Sequence, residues 1–195
     1  MANKLRAFRD YSEHSVINLF SHIDGAVDNG IVVKVNSATN WWTTAGWQNN
    51  DGDDTSVGML GSVGASVTNT VSERYGVPAR VANCGVTDVP IGMTLHQVAE
   101  EDENGEKLIY NPRKAAEMQV ALSGQALPLV TEGLFLYNVG YAASTAIVGY
   151  NARVGALGVI VTGGAGHVVG RWLGNVDADG NALLQLNIMS PSGTN

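Results

Sequence analysis

Short apolar segments separated by turn residues fill the second half of the chain and constrain its fold more than any other feature. Gly, Asn or Asp interrupts each segment before it reaches the length of an ordinary helix, and a new segment begins about every ten residues. This spacing is typical of a β-sandwich or a β-barrel, because each strand soon turns back along a neighbour. The segments are QALPLVTEGLFLY, STAIVGYNARV, GALGVIVTGG, HVVGRWLG and NALLQLNI.

The first half adds strand candidates and one helix. Residues 31–35 form a β-branched run, and VPARVANC and VPIGMTLHQVAE predict strands punctuated by prolines. Asn104-Gly105 predicts a hairpin with an acidic tip. Asn111 can cap a helix whose first turn accepts Pro112. The 195 residues are therefore expected to form a mainly β protein, a compact β-barrel or β-sandwich of short antiparallel strands with one or two short helices.

The chain is expected to divide into an arm and a body. Residues 1–23 mix basic, aromatic and polar positions without a single period, which predicts an extended N-terminal arm with one helical turn near residues 13–20. Residues 24–195 are then a single β-rich body. A polar stretch at residues 36–56 contains three of the four tryptophans and is interpreted as a loop inserted into that body.

The charge distribution argues against a nucleic-acid partner. The formal charge is −7 and only 15% of the residues are charged, against roughly 25% in an ordinary domain. A nucleic-acid binder needs a clustered basic face, which the 11 Lys and Arg residues do not form. Lys4, Arg6 and Arg9 are a local exception, since they make the first nine residues basic. This arm is expected to contact acidic protein surfaces.

No sequence run has the length of a membrane span, and the N-terminal residues lack the apolar core of a signal peptide. We therefore expect neither a membrane partner nor export, and the chain should stay in the compartment where it is made. Cys84 is the only cysteine, so an internal disulfide is excluded, and its apolar neighbours favour a small buried side chain over a reactive thiol.

Catalytic and cofactor motifs are missing from the sequence. There is no Gly-x-Ser-x-Gly elbow, no Cys-x-x-Cys pair and no His-x-x-x-His pair, and the four histidines are scattered. The glycine-rich stretch at 158–170 lacks the following strand–helix–strand unit that a dinucleotide site requires. The acidic residues at 100–106 fall around a predicted exposed turn, where carboxylates are normally solvated. We expect no catalytic residues, no cofactor and no metal.

One stretch does imitate a metal site. Asn175, Asp177 and Asp179 alternate before Gly180, as in the first half of a calcium-binding loop. The bidentate Glu expected at the twelfth position is replaced by Leu186. The flanking residues alternate like strands, so this stretch is predicted to be a hairpin turn.

Trp41, Trp42 and Trp47 leave three interpretations open. Tryptophan in a polar loop needs a surface to pack on, which can be the protein's own body, a neighbouring subunit, or a sugar ring.

Three segments give the chain a family likeness: RAFRDYSEHSVINLF at 6–20, NPRKAAEMQVALSGQALPLVTEGLF at 111–135 and VVGRWLGNVDADGNALLQLNI at 168–188. Their overall character resembles that of the head decoration proteins of tailed bacteriophages, also called capsid cement or stabilising proteins. The resemblance extends over most of the chain, but residues 36–56 have no counterpart in it.

The resemblance implies a structural virion protein without enzymatic activity. Such a protein is made in the host cytoplasm, binds the outer surface of the capsid and stabilises the shell by bridging major capsid proteins. It also implies contacts between neighbouring copies, with a trimer favoured over a dimer. The expected interface residues are Lys4, Arg6, Phe8, Arg9 and Tyr11 of the arm, together with Trp41, Trp42 and Trp47 of the loop.

Two other functions compete with this one. A glycan-binding or host-surface-binding module displayed on the virion would use the Trp-rich loop at residues 36–56. A hydrolase would need two carboxylates brought together from different strands.

Overall fold

A computed structural model describes residues 4–22, 26–35, 57–58, 61–62, 80–122, 125–139 and 146–188. Over these residues the protein is mainly β, as the sequence predicts. The strands are β1 (Leu5–Ala7), β2 (Val16–His22), β3 (Val32–Val35), β4 (Val57–Gly58), β5 (Gly61–Ser62), β6 (Arg80–Asn83), β7 (Gly92–Thr94), β8 (Gln97–Ala99), β9 (Val120–Leu122), β10 (Leu127–Val130), β11 (Glu132–Asn138), β12 (Asn151–Val154), β13 (Ile160–Thr162), β14 (Val168–Trp172) and β15 (Asn181–Asn187).

Two sheets contain most of these strands. Five strands close a barrel in the order β10-β2-β6-β3-β7, and six form an antiparallel sheet in the order β1-β11-β15-β14-β12-β13. Two minor pairs, β4-β5 and β8-β9, complete the described strands. Most pairings are antiparallel, but β2 and β6 run parallel, as do β8 and β9. The sequence predicts a barrel or a sandwich, and the structure has a small barrel joined to an open sheet.

The core lies inside the barrel and between the barrel and the six-stranded sheet. Successive residues of β3 point in opposite directions, as residues of a strand must. Val33 packs inside the barrel with Phe20 and Leu129, whereas Val32 packs on the sheet cluster that contains Trp172. A single strand thus contributes to both apolar clusters and joins the two sheets.

Among the residues that the structure describes, helical structure is limited to short pieces. One α-helix, α1 (Pro112–Glu117), follows three 3₁₀ residues at Leu108–Tyr110, and further 3₁₀ turns lie at Glu13–Ser15 and Ala156–Gly158. The side chain of Asn111 accepts a hydrogen bond from the backbone N–H of Lys114, so the predicted cap and helix are confirmed. No helix in the described ranges is long and apolar enough to cross a membrane.

The N-terminal segment contributes strands to both sheets. β1 pairs with β11, with Leu5 opposite Tyr137, and β2 pairs with β10 and β6 inside the barrel. The helical turn expected near residues 13–20 is only the 3₁₀ turn at Glu13–Ser15, and the strand β2 follows it directly. Residues 8–15 connect the two sheets.

The acidic stretch at 100–106 forms the predicted tight turn, but the flanking strands are reduced to one bridge. Gly105 adopts the positive φ of 81° that such turns require. A single antiparallel bridge joins Glu101 to Lys107, and the 3₁₀ residues begin immediately afterwards at Leu108. Two backbone hydrogen bonds close the turn, from the N–H of Asp102 to the carbonyl of Glu106 and from the N–H of Leu108 to the carbonyl of Glu100.

Candidate interaction surface

The connection between β1 and β2 forms a continuous exposed surface. Every residue from 6 to 14 is exposed, because this part of the chain crosses from the six-stranded sheet to the barrel outside both cores. Both ends are fixed. The N–H of Phe8 donates to the carbonyl of Leu134 at 3.0 Å, and the carbonyl of Ser15, at the end of the 3₁₀ turn, accepts from the N–H of Thr131 at 2.9 Å.

Residues 6–11, called here the basic–aromatic segment, bring together four of the predicted interface residues. Phe8 is 53% exposed, and Tyr11 is 38% exposed with its ring centroid 5.9 Å from that of Phe135. Arg6 and Arg9 are exposed cations beside them. Exposed aromatic rings next to arginines are the combination most enriched at protein–protein interfaces.

Lys4, the fifth predicted residue of this region, faces its own body. Its ammonium lies 3.0 Å from a carboxylate oxygen of Asp28, and its backbone N–H donates to the side-chain oxygen of Asn29. The Lys4 charge is therefore compensated within the chain. The basic character available to a partner comes from Arg6 and Arg9.

The stretch that imitates a calcium loop is the predicted hairpin turn between β14 and β15. The Oδ1 atom of Asp177 accepts hydrogen bonds from the backbone N–H groups of Asp179 at 2.9 Å and Asn181 at 2.8 Å, and Gly180 has a φ of 81°. The Asn181 bond is the main reason why the pKa of Asp177 lies below its usual value, and the positive charge of Arg6 adds to this effect. The turn therefore lies near Arg6, the basic residue of β1.

A groove that the sequence does not predict runs beside β1. It has a volume of about 390 Å³ and is bounded on one side by residues 5–7 and on the other by residues 95–97 and 118–119, with Asn29 between them. Four separate parts of the chain build it, so no local pattern marks it. The only sign of the groove in the sequence is indirect: Gln119 occupies a position after α1 where glycine is usual.

Two side chains of chemically reactive types, Cys84 and His22, are buried. Burial raises the pKa of the Cys84 thiol to about 11, and the negative charge of Asp88 adds to the shift. The thiol is thus protonated and buried, as its sequence context predicts. The ring of His22 is buried and lies within hydrogen-bond distance of the Asn83 side chain, at 3.0 Å. Across the described part of the chain, no three His, Cys, Asp or Glu side chains converge as metal ligands would.

Trp41, Trp42 and Trp47 lie outside the described residues, as does the whole stretch 36–56. Their assignment to a subunit interface or a glycan site stays a prediction. Comparison of the chain with known protein families, with curated proteins and with solved structures finds no match.

Proposed function

We propose that this protein is a non-enzymatic structural component of a phage particle that binds the outside of the capsid and stabilises the shell by bridging major capsid proteins. The observation that carries the proposal is the basic–aromatic segment, which is exposed along its whole length and fixed at both ends on a β framework. Neighbouring copies on the shell, favoured as trimers, belong to the same proposal.

The fixed ends of the segment favour binding. A flexible terminal peptide loses conformational freedom when it binds, and each immobilised side chain costs about 0.5–1.5 kcal/mol. Here β1 and the 3₁₀ turn at Glu13–Ser15 already restrict the backbone. More of the contact energy of Phe8 and Arg9 is then available for affinity.

The charge pattern indicates the kind of surface that the segment contacts. The chain has a formal charge of −7, yet Arg6 and Arg9 are exposed together. A cationic patch on an anionic protein directs association toward acidic surfaces, which include acidic parts of an identical copy. An acidic site at a joint between capsid proteins fits this pattern.

The proposal is tested with a double substitution, Phe8→Ala with Arg9→Glu, measured by binding to shells from which this protein has been removed. Removal of residues 2–12 is a poorer test, because it deletes β1 and the buried Leu5. We expect the double variant to bind at least about tenfold more weakly, since interface aromatics and arginines are common hot spots.

The matched control is Tyr110→Ala with Arg113→Glu, which also removes an aromatic ring and reverses an arginine charge, but at another exposed site. Tyr110 is 84% exposed, and the Arg113 side chain is 89% exposed. This control should occupy shells like the unaltered protein. Unchanged occupancy by the Phe8/Arg9 variant, with its fold intact by circular dichroism, would refute the proposed surface.

A further inference from the structure

β1 leaves one of its long edges without a strand partner in the described structure. The strand is the first in the order of the six-stranded sheet, so only its β11 side is paired. Hydrogen bonds to β11 are made by Lys4 and Phe8, and in an antiparallel pair such residues alternate with residues that point the other way. The N–H and C=O groups of Leu5 and Ala7 are therefore directed away from β11.

The groove lies along this same edge. Residues 5, 6 and 7 all contribute to its wall, although consecutive side chains of a strand point to opposite faces. A cavity that contacts three consecutive strand residues fits a position along the edge of the strand. The Asn29 side chain already donates to the carbonyl of Leu5 at 3.0 Å. Ala7 also lines the groove, and its backbone groups point to the same side of β1 as the carbonyl of Leu5.

The size of the groove suits a short extended peptide. One strand residue takes up about 160 Å³ in a packed sheet, given roughly 3.3 Å of rise, 4.8 Å between strands and 10 Å between layers. The volume of about 390 Å³ therefore accommodates two or three residues of an added strand. Residues 95–97 and 118–119 would flank that strand on its far side.

The lining favours an acidic peptide. Arg6 and His96 contribute to the groove, and its described lining residues include no carboxylate. Gln119 adds an amide side chain and has a φ of 54°, a strained backbone conformation at the position after α1 where glycine is usual. The chain thus retains a polar side chain at the groove where glycine would be more stable.

We infer that the groove beside β1 binds an extended, acidic segment of the shell protein, which adds to the free edge of β1 as a further strand. Backbone hydrogen bonds to Ala7 fix the register of the segment, and Arg6 attracts its carboxylates. This inference rests on the proposed function for the identity of the partner. It goes beyond that proposal by naming the mode of binding.

The inference is tested with an array of overlapping 12-residue peptides that cover the proteins of the parent particle, probed with the full chain. Ala7→Pro removes the N–H that faces the groove, and proline is tolerated at strand edges. We expect at least about tenfold weaker binding of the captured acidic peptide. Ala7→Val retains the N–H and serves as the control, with binding close to that of the unaltered chain.

The substitution Gln119→Gly tests whether weaker peptide binding comes from the groove itself or from unfolding of the protein. This change relieves the strained backbone, so we expect a higher melting temperature together with several-fold weaker peptide binding. Reduced binding caused by general unfolding would instead lower both quantities. Amide hydrogen exchange of residues 4–8 should slow when the peptide binds, because the Ala7 N–H becomes bonded.

The results distinguish this inference from the proposed function. Full binding of the peptide by Ala7→Pro, or an array without any captured acidic peptide, overturns strand addition even where the protein still binds shells. A captured peptide that depends on Ala7, from a protein that does not bind shells, supports the groove and refutes the capsid proposal. Capture only of peptides from this chain's own sequence overturns the assignment to a shell protein and identifies a second copy as the occupant.

Discussion

Asp102 fixes the acidic turn that precedes α1. Its carboxylate is buried and accepts hydrogen bonds from the backbone N–H groups of Asn104 and Glu106, each at 2.8 Å. The Lys114 ammonium binds the other carboxylate oxygen from α1. This side chain therefore adds to the backbone hydrogen bonds that close the turn.

The pKa of Asp102 predicts how the protein responds to acid. The hydrogen bond from Lys114 is the main reason why this pKa lies below its usual value of 3.8. A carboxyl whose folded-state pKa is depressed stabilises the fold above its unfolded-state pKa, and this contribution is lost as the pH falls through the folded-state pKa. We expect Asp102→Asn to lower the melting temperature at pH 7 and to flatten its decline between about pH 5 and pH 2.

Glu103→Gln is the control for this titration, because the Glu103 side chain is 75% exposed and lies only at the edge of the Lys114 contact. Its melting curves should follow those of the unaltered protein across the same pH range. Equal acid sensitivity of the Asp102 variant and the unaltered protein would show that another group controls the transition.

The sequence could predict the turn at 100–106 but not the role of one of its acids. The composition indicates a solvated acidic tip, and Glu103 and Glu106 are indeed exposed. Asp102 differs because Lys114 approaches it from a separate element, twelve positions later. Nothing in the local pattern distinguishes the buried carboxylate from its exposed neighbours.

At the level of the elements, Gly170 permits a close approach of β14 to β15. This residue lies opposite Leu186, and a Cβ atom at its position would collide with the backbone carbonyl of Gln185. We expect Gly170→Ala to lower the free energy of unfolding by about 1–3 kcal/mol, as overpacked sites do. Urea denaturation measures this change.

Gly174→Ala is the matched comparison, since the nearest atom to its added Cβ is the Leu183 Cβ at 3.3 Å. A shift of a few tenths of an ångström relieves that contact, so its effect should be clearly smaller than that of Gly170→Ala. Equal losses for the two variants would contradict the close approach of β15 to Gly170.

The sequence pattern predicts strand β15, whereas it does not predict β2. Leu184 and Leu186 alternate with Gln185 and Asn187, and the buried residues of β15 follow that alternation. In β2 the last three residues are all buried, because the strand enters the closed barrel between β10 and β6. The burial pattern of β2 therefore depends on strands that are distant in sequence. The groove beside β1 is also built by distant parts of the chain.

At the scale of the whole molecule, the barrel and the six-stranded sheet are connected twice and share a core. The chain passes from one to the other between β1 and β2 and again between β10 and β11. Val32, Met93 and Val130 of the barrel strands pack in the same cluster as residues of the sheet. Neither sheet can expose its inner face without disrupting the other.

This shared core predicts a single cooperative unfolding transition. Hydrogen exchange of peptides from β6 and β10 reports on the barrel, and hydrogen exchange of peptides from β14 and β15 reports on the sheet. Both probes should give the same urea midpoint. Two separated midpoints would mean that the barrel and the sheet are independent folding units.

The pairing of β1 with β11 sets an order of events during translation. Residues of β1 are synthesised more than a hundred positions before their partners at 135–137. The opposite side of β11 is covered by β15, which is synthesised later still. A truncated product that lacks β15 would leave this side of β11 without its strand partner. The support beneath the exposed segment that includes Phe8 and Arg9 would then be incomplete.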